Sequence, residues 1–166
     1  AKALLKEAGV PNPSFTLVTP TTSDAQRLAL VVQAMTREAG FDVKIQAAEF
    51  ATSLNMADKG EFDAYVLAWS GRADPDGNLF NYFTKSGPNN FMGYQNDKVT
   101  SLLESARAEP DQAARARLYR EAEVQIAADA PMLFLTFPAT LQASVKALDW
   151  VQYPDGAFRF QFAKLS

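Results

Sequence analysis

The amino-acid sequence predicts a single α/β domain in which at least part of the sheet is parallel. Segments with strand and helix patterns alternate as β-α-β-α-β over the first 70 residues, with short connections. Alternation of this kind is typical of helices that cross between parallel strands. The composition is that of a globular protein, with 48% apolar and 21% charged residues. The length of 166 residues is close to the roughly 150 residues of one domain.

The first predicted element is a helix over residues 1–9, with apolar residues at helical spacing and Gly9 as its stop. No Ser, Thr, Asp or Asn precedes it as an N-cap. We therefore expect a chain that starts inside a helix, as a fragment of a longer protein, and not a signal peptide.

The next elements are a strand over 15–18, a helix over 24–39 and a strand over 43–47. Ser23 and Gln26 have the spacing of a capping box, and Gly40 ends the helix. The strand over 43–47 alternates apolar and polar residues, which indicates one buried face. The predicted buried stripe of the helix consists of Leu28, Val31, Val32, Met35 and Ala39.

A short helix over 51–59, closed by Gly60, leads into the apolar run 62–69. Because this run is nearly continuous, it predicts a central strand that is covered on both faces. The segment 70–95 then interrupts the alternation, being rich in Gly, Pro, Asn and Asp with interleaved aromatic residues. A connection of this length is usually functional.

The rest of the chain predicts two helices and two strands. The helices cover residues 97–108 and 111–128, and Asn96 or Asp97 caps the first of them. The apolar run 132–137 predicts a buried strand, and the alternation over 158–162 predicts another.

Composition excludes several functional classes. A net charge of −3 without a basic stripe argues against a nucleic-acid partner. The absence of His and Cys removes Ser-His-Asp and Cys-His catalysis, disulfides and zinc sites built on these residues. No apolar run approaches the roughly 20 residues of a membrane span. The sequence predicts no cofactor and no metal.

The candidate binding segment follows the run 62–69 directly. Trp69 offers a flat apolar face, Ser70 a hydroxyl, Gly71 close backbone approach and Arg72 a planar donor fork suited to a carboxylate. Ligands of open α/β sheets bind in loops at the carboxyl ends of strands. Trp69 is equally suited to filling a core.

Asp74 and Asp76 form a second part of this segment, in the run Asp-Pro-Asp-Gly. This run is typical of a turn in which Asp side chains bond backbone N–H groups. A calcium loop is rejected, because Leu79 and Lys85 stand where Gly and Glu are required. A small hydrolase using both carboxylates, or an interaction module without a small-molecule site, remains an alternative.

Asn90 and Tyr94 belong to a further polar and aromatic cluster over 86–96. Their amide and hydroxyl groups are able to meet a polar ligand or to tie the loop to itself. The sequence leaves both uses open.

Several motifs together resemble the extracellular solute-binding proteins of family 5, the peptide-binding components of bacterial ABC importers. They are Phe-Asp-Ala-x-x-x-x-Trp-Ser-Gly, then Asp-Pro-Asp, then Asn-Asn-Phe-x-Gly-Tyr. The opening segment 1–9, the helix around 113–122 and the following Asp-Ala-Pro are also similar to that family. The resemblance extends over nearly the whole chain, in order.

The resemblance implies a lobe of the type II periplasmic-binding-protein fold, with a mixed, mostly parallel sheet flanked by helices. Residues 1–166 would form the C-terminal lobe of a two-lobed protein. The tail 140–166 would return towards the N-terminal lobe, which is absent from this chain. Phe158, Phe160 and Phe162 would then lie against that lobe or pack within this one.

By the same resemblance, Trp69, Ser70 and Gly71 line the solute cleft. Arg72 stands where peptide-binding members have an Asp that holds the amine of the peptide. A cation does not pair with an ammonium group, so the expected solute presents an anionic group there, as a glutathione-like or opine-like solute would. Alternatively, Asp74 binds the amine through a shifted loop. The implied partners are the solute, the permease subunits and the other lobe, in the periplasm or on a Gram-positive surface as a lipoprotein.

Overall fold

A three-stranded parallel sheet lies at the centre of the first unit of the chain, Ala1–Ser70. Strand β1 (Ser14–Pro20) lies in the middle, between β2 (Asp42–Ala48) and β3 (Ala64–Tyr65). Phe15 is in register with Val43, and Leu17 with Ala64. This computed structural model describes residues 1–137, 139, 141–151, 153, 156–157 and 159–165. The predicted parallel α/β arrangement is confirmed.

Helices connect the strands of this unit, and the predicted glycines end them. Helix α1 (Lys2–Glu7) precedes β1, α2 (Ser23–Ala39) joins β1 to β2, and α3 (Phe50–Lys59) joins β2 to β3. Backbone φ angles of 70°, 106° and 70° place Gly9, Gly40 and Gly60 in the left-handed region. Glycine enters this region without the steric cost of a Cβ.

The buried face of α2 differs from the predicted stripe. Ala29 is fully buried and packs with Leu17 and Val43, whereas Val31 and Met35 are 52% and 69% exposed. Helix periodicity indicates an apolar face, but α2 has enough apolar residues for two faces, and the sheet covers one of them. The predicted capping box is also wrong. Thr22 is the N-cap, and it makes no side-chain bond there.

The run 62–69 is not a central strand. Only Ala64 and Tyr65 pair with β1, on one side of the described sheet. The most buried strand is β1, where Leu17 and Val18 are 5% and 1% exposed. A run of apolar residues indicates that a segment is buried, but it does not indicate where a strand lies within the sheet. The prediction of a central strand over 62–69 is wrong for this reason.

The second unit, Gly71–Ser166, is mainly helical in its described residues. Helix α4 (Asp76–Phe83) was not predicted, whereas α5 (Asp97–Ala108) and α6 (Gln112–Asp129) agree with the expected ranges within about a residue. The Asn96 side chain caps α5 by accepting from the backbone N–H groups of Lys98 and Val99. The core of this unit comprises Tyr82, Phe83, Val99, Leu103, Ala106, Tyr119, Ala122 and Ile126.

Two predicted strands are absent from the described residues that follow α6. The segment 132–137 lies outside both sheets, with Leu133 73% and Phe137 93% exposed. Phe160 and Phe162 belong to a 3₁₀ turn and are exposed, while Phe158 lies outside the described residues. An apolar pattern does not supply the neighbouring strand that a ladder requires. The strands observed, β4 (Leu148–Asp149) and β5 (Lys164–Leu165), form a short antiparallel pair.

Two kinds of feature are absent from the described residues. None of the helices there is long and apolar enough to cross a lipid bilayer. Within the same ranges, no group of three acidic side chains is placed to hold a metal ion. The boundaries predicted for a single C-terminal lobe, 1–166 with a tail over 140–166, stay a prediction.

Candidate functional site

The segment with Trp69 leaves the sheet at the carboxyl end of β3. The Val66 N–H still donates to the carbonyl oxygen of Val18, at 2.9 Å. Beyond it, Trp69 is 41% exposed and Ser70 is exposed at the end of the first unit. Trp69 is therefore partly exposed on this unit, and an aromatic side chain offers a large contact area.

Arg72 lies at the beginning of the second unit, and the Asn78 side chain holds its backbone. The Arg72 N–H donates to Asn78 Oδ1 at 2.7 Å, and Asn78 Nδ2 donates to the Arg72 carbonyl oxygen at 2.7 Å. One guanidinium nitrogen, Nη1, donates to the Gly71 carbonyl oxygen at 3.0 Å. Gly71 has a φ of 58°, which its missing Cβ permits.

Asp74 takes part both in a turn and in an ion pair. Its Oδ1 accepts the Asp76 N–H at 2.9 Å, as in the predicted turn chemistry. Its Oδ2 lies 3.0 Å from Nη2 of Arg115, on α6. Both oxygens thus have partners within the protein.

Asp76 makes a two-point contact with Arg107 of α5. Arg107 Nε and Nη2 donate to the two carboxylate oxygens at 2.6 and 2.9 Å. The guanidinium carbon also lies 3.3 Å from the centre of the Phe80 ring, and the Asp76 hydrogen bonds raise the pKa of Arg107. Planar, two-point pairing of this kind fixes the relative orientation of the two side chains in addition to pairing their charges.

Asn90 and Tyr94 make hydrogen bonds that stabilise their own loop. Asn90 Nδ2 donates to the carbonyl oxygens of Thr84 and Tyr94 at 3.1 and 2.8 Å, and its Oδ1 accepts the Tyr94 N–H at 2.9 Å. The Tyr94 hydroxyl donates to Asp129 Oδ2 at 2.5 Å. The loop-stabilising use left open by the sequence is therefore present, and a ligand-binding role stays a prediction.

Asp129, at the end of α6, is a residue that the sequence interpretation missed. Besides the Tyr94 hydroxyl, it accepts from Asn96 Nδ2 at 2.7 Å and from Gln125 Nε2 at 2.8 Å. These hydrogen bonds, that of Tyr94 first, lower the pKa of Asp129. Burial, with the Asp129 carboxylate as a second cause, raises the pKa of Tyr94 to about 12. Asn96 and Tyr94 lie 33 and 35 positions before Asp129 in the sequence, so no local pattern indicates that these side chains are in contact.

Comparison with known proteins decides the family. The profile described as "Bacterial extracellular solute-binding proteins, family 5 Middle" matches residues 1–91 of this chain. The chain belongs to this family. Its members are solute-binding proteins and not enzymes, which counts against the hydrolase alternative.

Two relatives show the range of solutes named within the family. Di/tripeptide-binding protein 4 of Pseudomonas aeruginosa is 34% identical over 83% of this chain and 28% of its own length. The glutathione-binding protein GsiB of Pectobacterium atrosepticum is 30% identical over 100% of this chain and 35% of its own length. This family 5 chain thus spans about a third of these relatives or less.

A solved structure confirms the fold. The oligopeptide-binding protein AppA of Bacillus subtilis, in complex with a nonapeptide, superposes with a TM-score of 0.81 at 26% identity. The match covers 92% of this chain and 32% of AppA. The predicted periplasmic-binding-protein fold is therefore correct for this chain.

Proposed function

We propose that the protein containing this chain captures a peptide-like solute for an ABC importer. Membership of family 5 is the observation that carries this function, and relatives named for peptides and glutathione support it. The corresponding location is the periplasm, or the outer face of the membrane as a lipoprotein. Residues 1–166 would be its C-terminal lobe, with the tail 140–166 directed to the N-terminal lobe.

The proposed solute contacts begin with Trp69, Ser70 and Gly71. The partly exposed indole supports this assignment, because flat aromatic surfaces stack well on peptide and amide groups. The glycine adds a position where a ligand is able to approach the backbone closely. Asn90 and Tyr94 remain proposed ligand-binding residues, although their described hydrogen bonds tie their own loop.

Arg72 supports a solute with an anionic group. A guanidinium presents its N–H donors in a plane that matches a carboxylate or phosphate, and it repels an ammonium group. The alternative, an ordinary peptide amine bound by Asp74, is less favoured. Both oxygens of Asp74 already have partners, Arg115 and the Asp76 N–H.

The proposed mechanism is capture without chemistry. Two lobes close around the solute, exclude water and present the closed form to the permease subunits. Closure shifts the population only as far as the solute binds the closed form more tightly than the open one.

The decisive test is titration calorimetry of the complete protein with two probes, N-succinyl-dialanine and N-butyryl-dialanine. These molecules differ by a carboxylate in place of a methyl group. We expect the wild-type protein to prefer the succinyl probe by about tenfold or more, as for a charge-assisted contact. Arg72→Asp should remove or reverse the preference.

The control for general damage is trialanine, which carries an ammonium group where the probes have an acyl group. Arg72→Asp should leave its binding unchanged or strengthen it. Equal affinity for the two probes, or binding of trialanine alone with no response to the substitution, would refute the anionic solute.

A further inference from the structure

We propose that Asn78 and Gly77 are positioning residues that set the place and direction of the Arg72 side chain, and so the selectivity for an anionic solute. The inference rests on the proposed function, since it gives Arg72 the role described above. All three residues lie in the second unit, on α4 or on the turn that precedes it.

Asn78 fixes the backbone of Arg72 on both sides of its Cα. Its amide accepts the Arg72 N–H and donates to the Arg72 carbonyl oxygen, each at 2.7 Å. The same Nδ2 lies 3.3 Å from the Asp74 carbonyl oxygen. A primary amide is the group that supplies both a donor and an acceptor in this short reach, and a carboxylate supplies acceptors only.

Gly77 leaves the space in which the Arg72 stem lies. A Cβ built on Gly77 would stand 2.9 Å from both Cβ and Cγ of Arg72. Rotation about the Cα–Cβ bond moves Cγ but leaves Cβ in place, so an added Cβ at Gly77 requires the Arg72 backbone or the start of α4 to shift. Gly77 therefore decides the direction in which the guanidinium leaves the backbone.

Two ion pairs hold the start of α4, which includes Gly77 and Asn78, and the turn that precedes it. Asp76, at the first position of α4, is held by Arg107, and Asp74 is held by Arg115. Exposed pairs add little stability alone, but the two-point geometry and the ring contact of Arg107 restrict motion. The start of α4 is thus fixed to side chains of α5 and α6.

Restricting Arg72 has a direct consequence for binding. A long side chain that is ordered only when a ligand arrives loses conformational entropy at that moment, which weakens the complex. A side chain whose backbone and stem are already fixed loses less. This gain in affinity applies to a solute that contacts the guanidinium and is absent for a solute that does not.

The test uses the complete protein and the same two probes, N-succinyl-dialanine and N-butyryl-dialanine. Asn78→Ala and Gly77→Ala should each lower the preference for the succinyl probe several-fold, while butyryl binding stays within about twofold. Asn81→Ala, one turn further along α4, is the matched control and should keep the wild-type preference. Helix propensity favours alanine over glycine, so a loss of selectivity in Gly77→Ala would not reflect a weaker helix.

A double-mutant cycle separates this inference from the proposed function. In the Arg72→Ala background, Asn78→Ala should produce no further change in the preference. If Arg72→Ala abolishes the preference but Asn78→Ala and Gly77→Ala preserve it, the positioning role is wrong and the anionic site stands. If Arg72→Ala itself leaves the preference intact, the anionic site is wrong. Should Asn78→Ala fail to fold, Gly77→Ala decides alone.

Discussion

At the scale of single residues, Asp129 connects three parts of the second unit. Its carboxylate receives hydrogen bonds from Tyr94 and Asn96, which precede α5, and from Gln125 of α6. Asp129 has a lowered pKa, so its contribution to stability is present above its ordinary pKa and is lost as pH falls through the lowered value. Tyr94 has a raised pKa, so its contribution is present below pH 10 and is lost as pH rises through about 12.

We predict that Asp129→Asn lowers the pKa of Tyr94 from about 12 but leaves it above 10, because burial remains as the larger cause. Absorbance at 295 nm reports phenolate formation. The difference between titrations with and without Tyr94→Phe isolates this phenol from the other tyrosines. A midpoint that stays near 12 in the Asp129→Asn protein would contradict the prediction, provided that far-ultraviolet circular dichroism shows an intact fold.

At the scale of elements, the packing of α5 on α6 organises the described part of the second unit. Val99 and Leu103 of α5, with Tyr119 and Ile126 of α6, are at most 5% exposed. Val124, on the same helix as Ile126, is 67% exposed. Helix α6 thus offers a buried and an exposed β-branched residue two positions apart.

We predict that Ile126→Ala destabilises the chain by about 2–5 kcal/mol, because it leaves a cavity between the helices. Val124→Ala, the matched control, should change the free energy of unfolding by no more than about 0.5 kcal/mol. Urea unfolding followed by circular dichroism measures both. Similar losses in the two variants would show that α6 is not buried on the side described.

The elements that the sequence predicted well are those with local signals. Helices α5 and α6 begin at side-chain caps, Asn96 and Asp111, and α2 and α3 end at glycines. Helix α4 was missed because Gly77 and Asn78 lie inside it and its N-cap, Pro75, makes no side-chain bond. The segment 132–137 was misassigned because a strand depends on a partner that its own residues do not encode.

The candidate site was predictable only in part, because some of its contacts join neighbouring residues and others join residues far apart in the sequence. The turn chemistry of Asp74 and the cap at Asn96 follow from neighbouring residues and were found. The pairing of Asp74 with Arg115 spans 41 positions, and that of Asp76 with Arg107 spans 31. Contacts between such distant residues depend on how the helices pack, which composition and spacing do not reveal.

At the scale of the whole molecule, the chain consists of two units, one built on a parallel sheet and one mainly helical in its described part. It covers 28% of the di/tripeptide-binding relative and 35% of the glutathione-binding relative. Under the proposed function, this chain supplies only some of the contacts that a closed solute site requires.

We predict that this chain alone binds N-succinyl-dialanine on the order of 100-fold more weakly than the complete protein, because half of a clamp lacks the opposite contacts. Calorimetry on both proteins, with circular dichroism to establish that the isolated chain is folded, measures the ratio. Equal affinity of the two proteins for the probe would contradict the two-lobed mechanism.

The mostly exposed segment 132–137 has a consequence for the behaviour of the purified chain. It is an uncharged stretch rich in leucine and phenylalanine that lies outside both sheets, and within it only Phe134 makes a ring contact with the buried Phe83 among the described residues. Such a stretch is a template for cross-β association between copies, and a net charge of −3 provides little colloidal repulsion against it. Concentrating the isolated chain therefore favours aggregates that form through segment 132–137 while α5 and α6 remain folded.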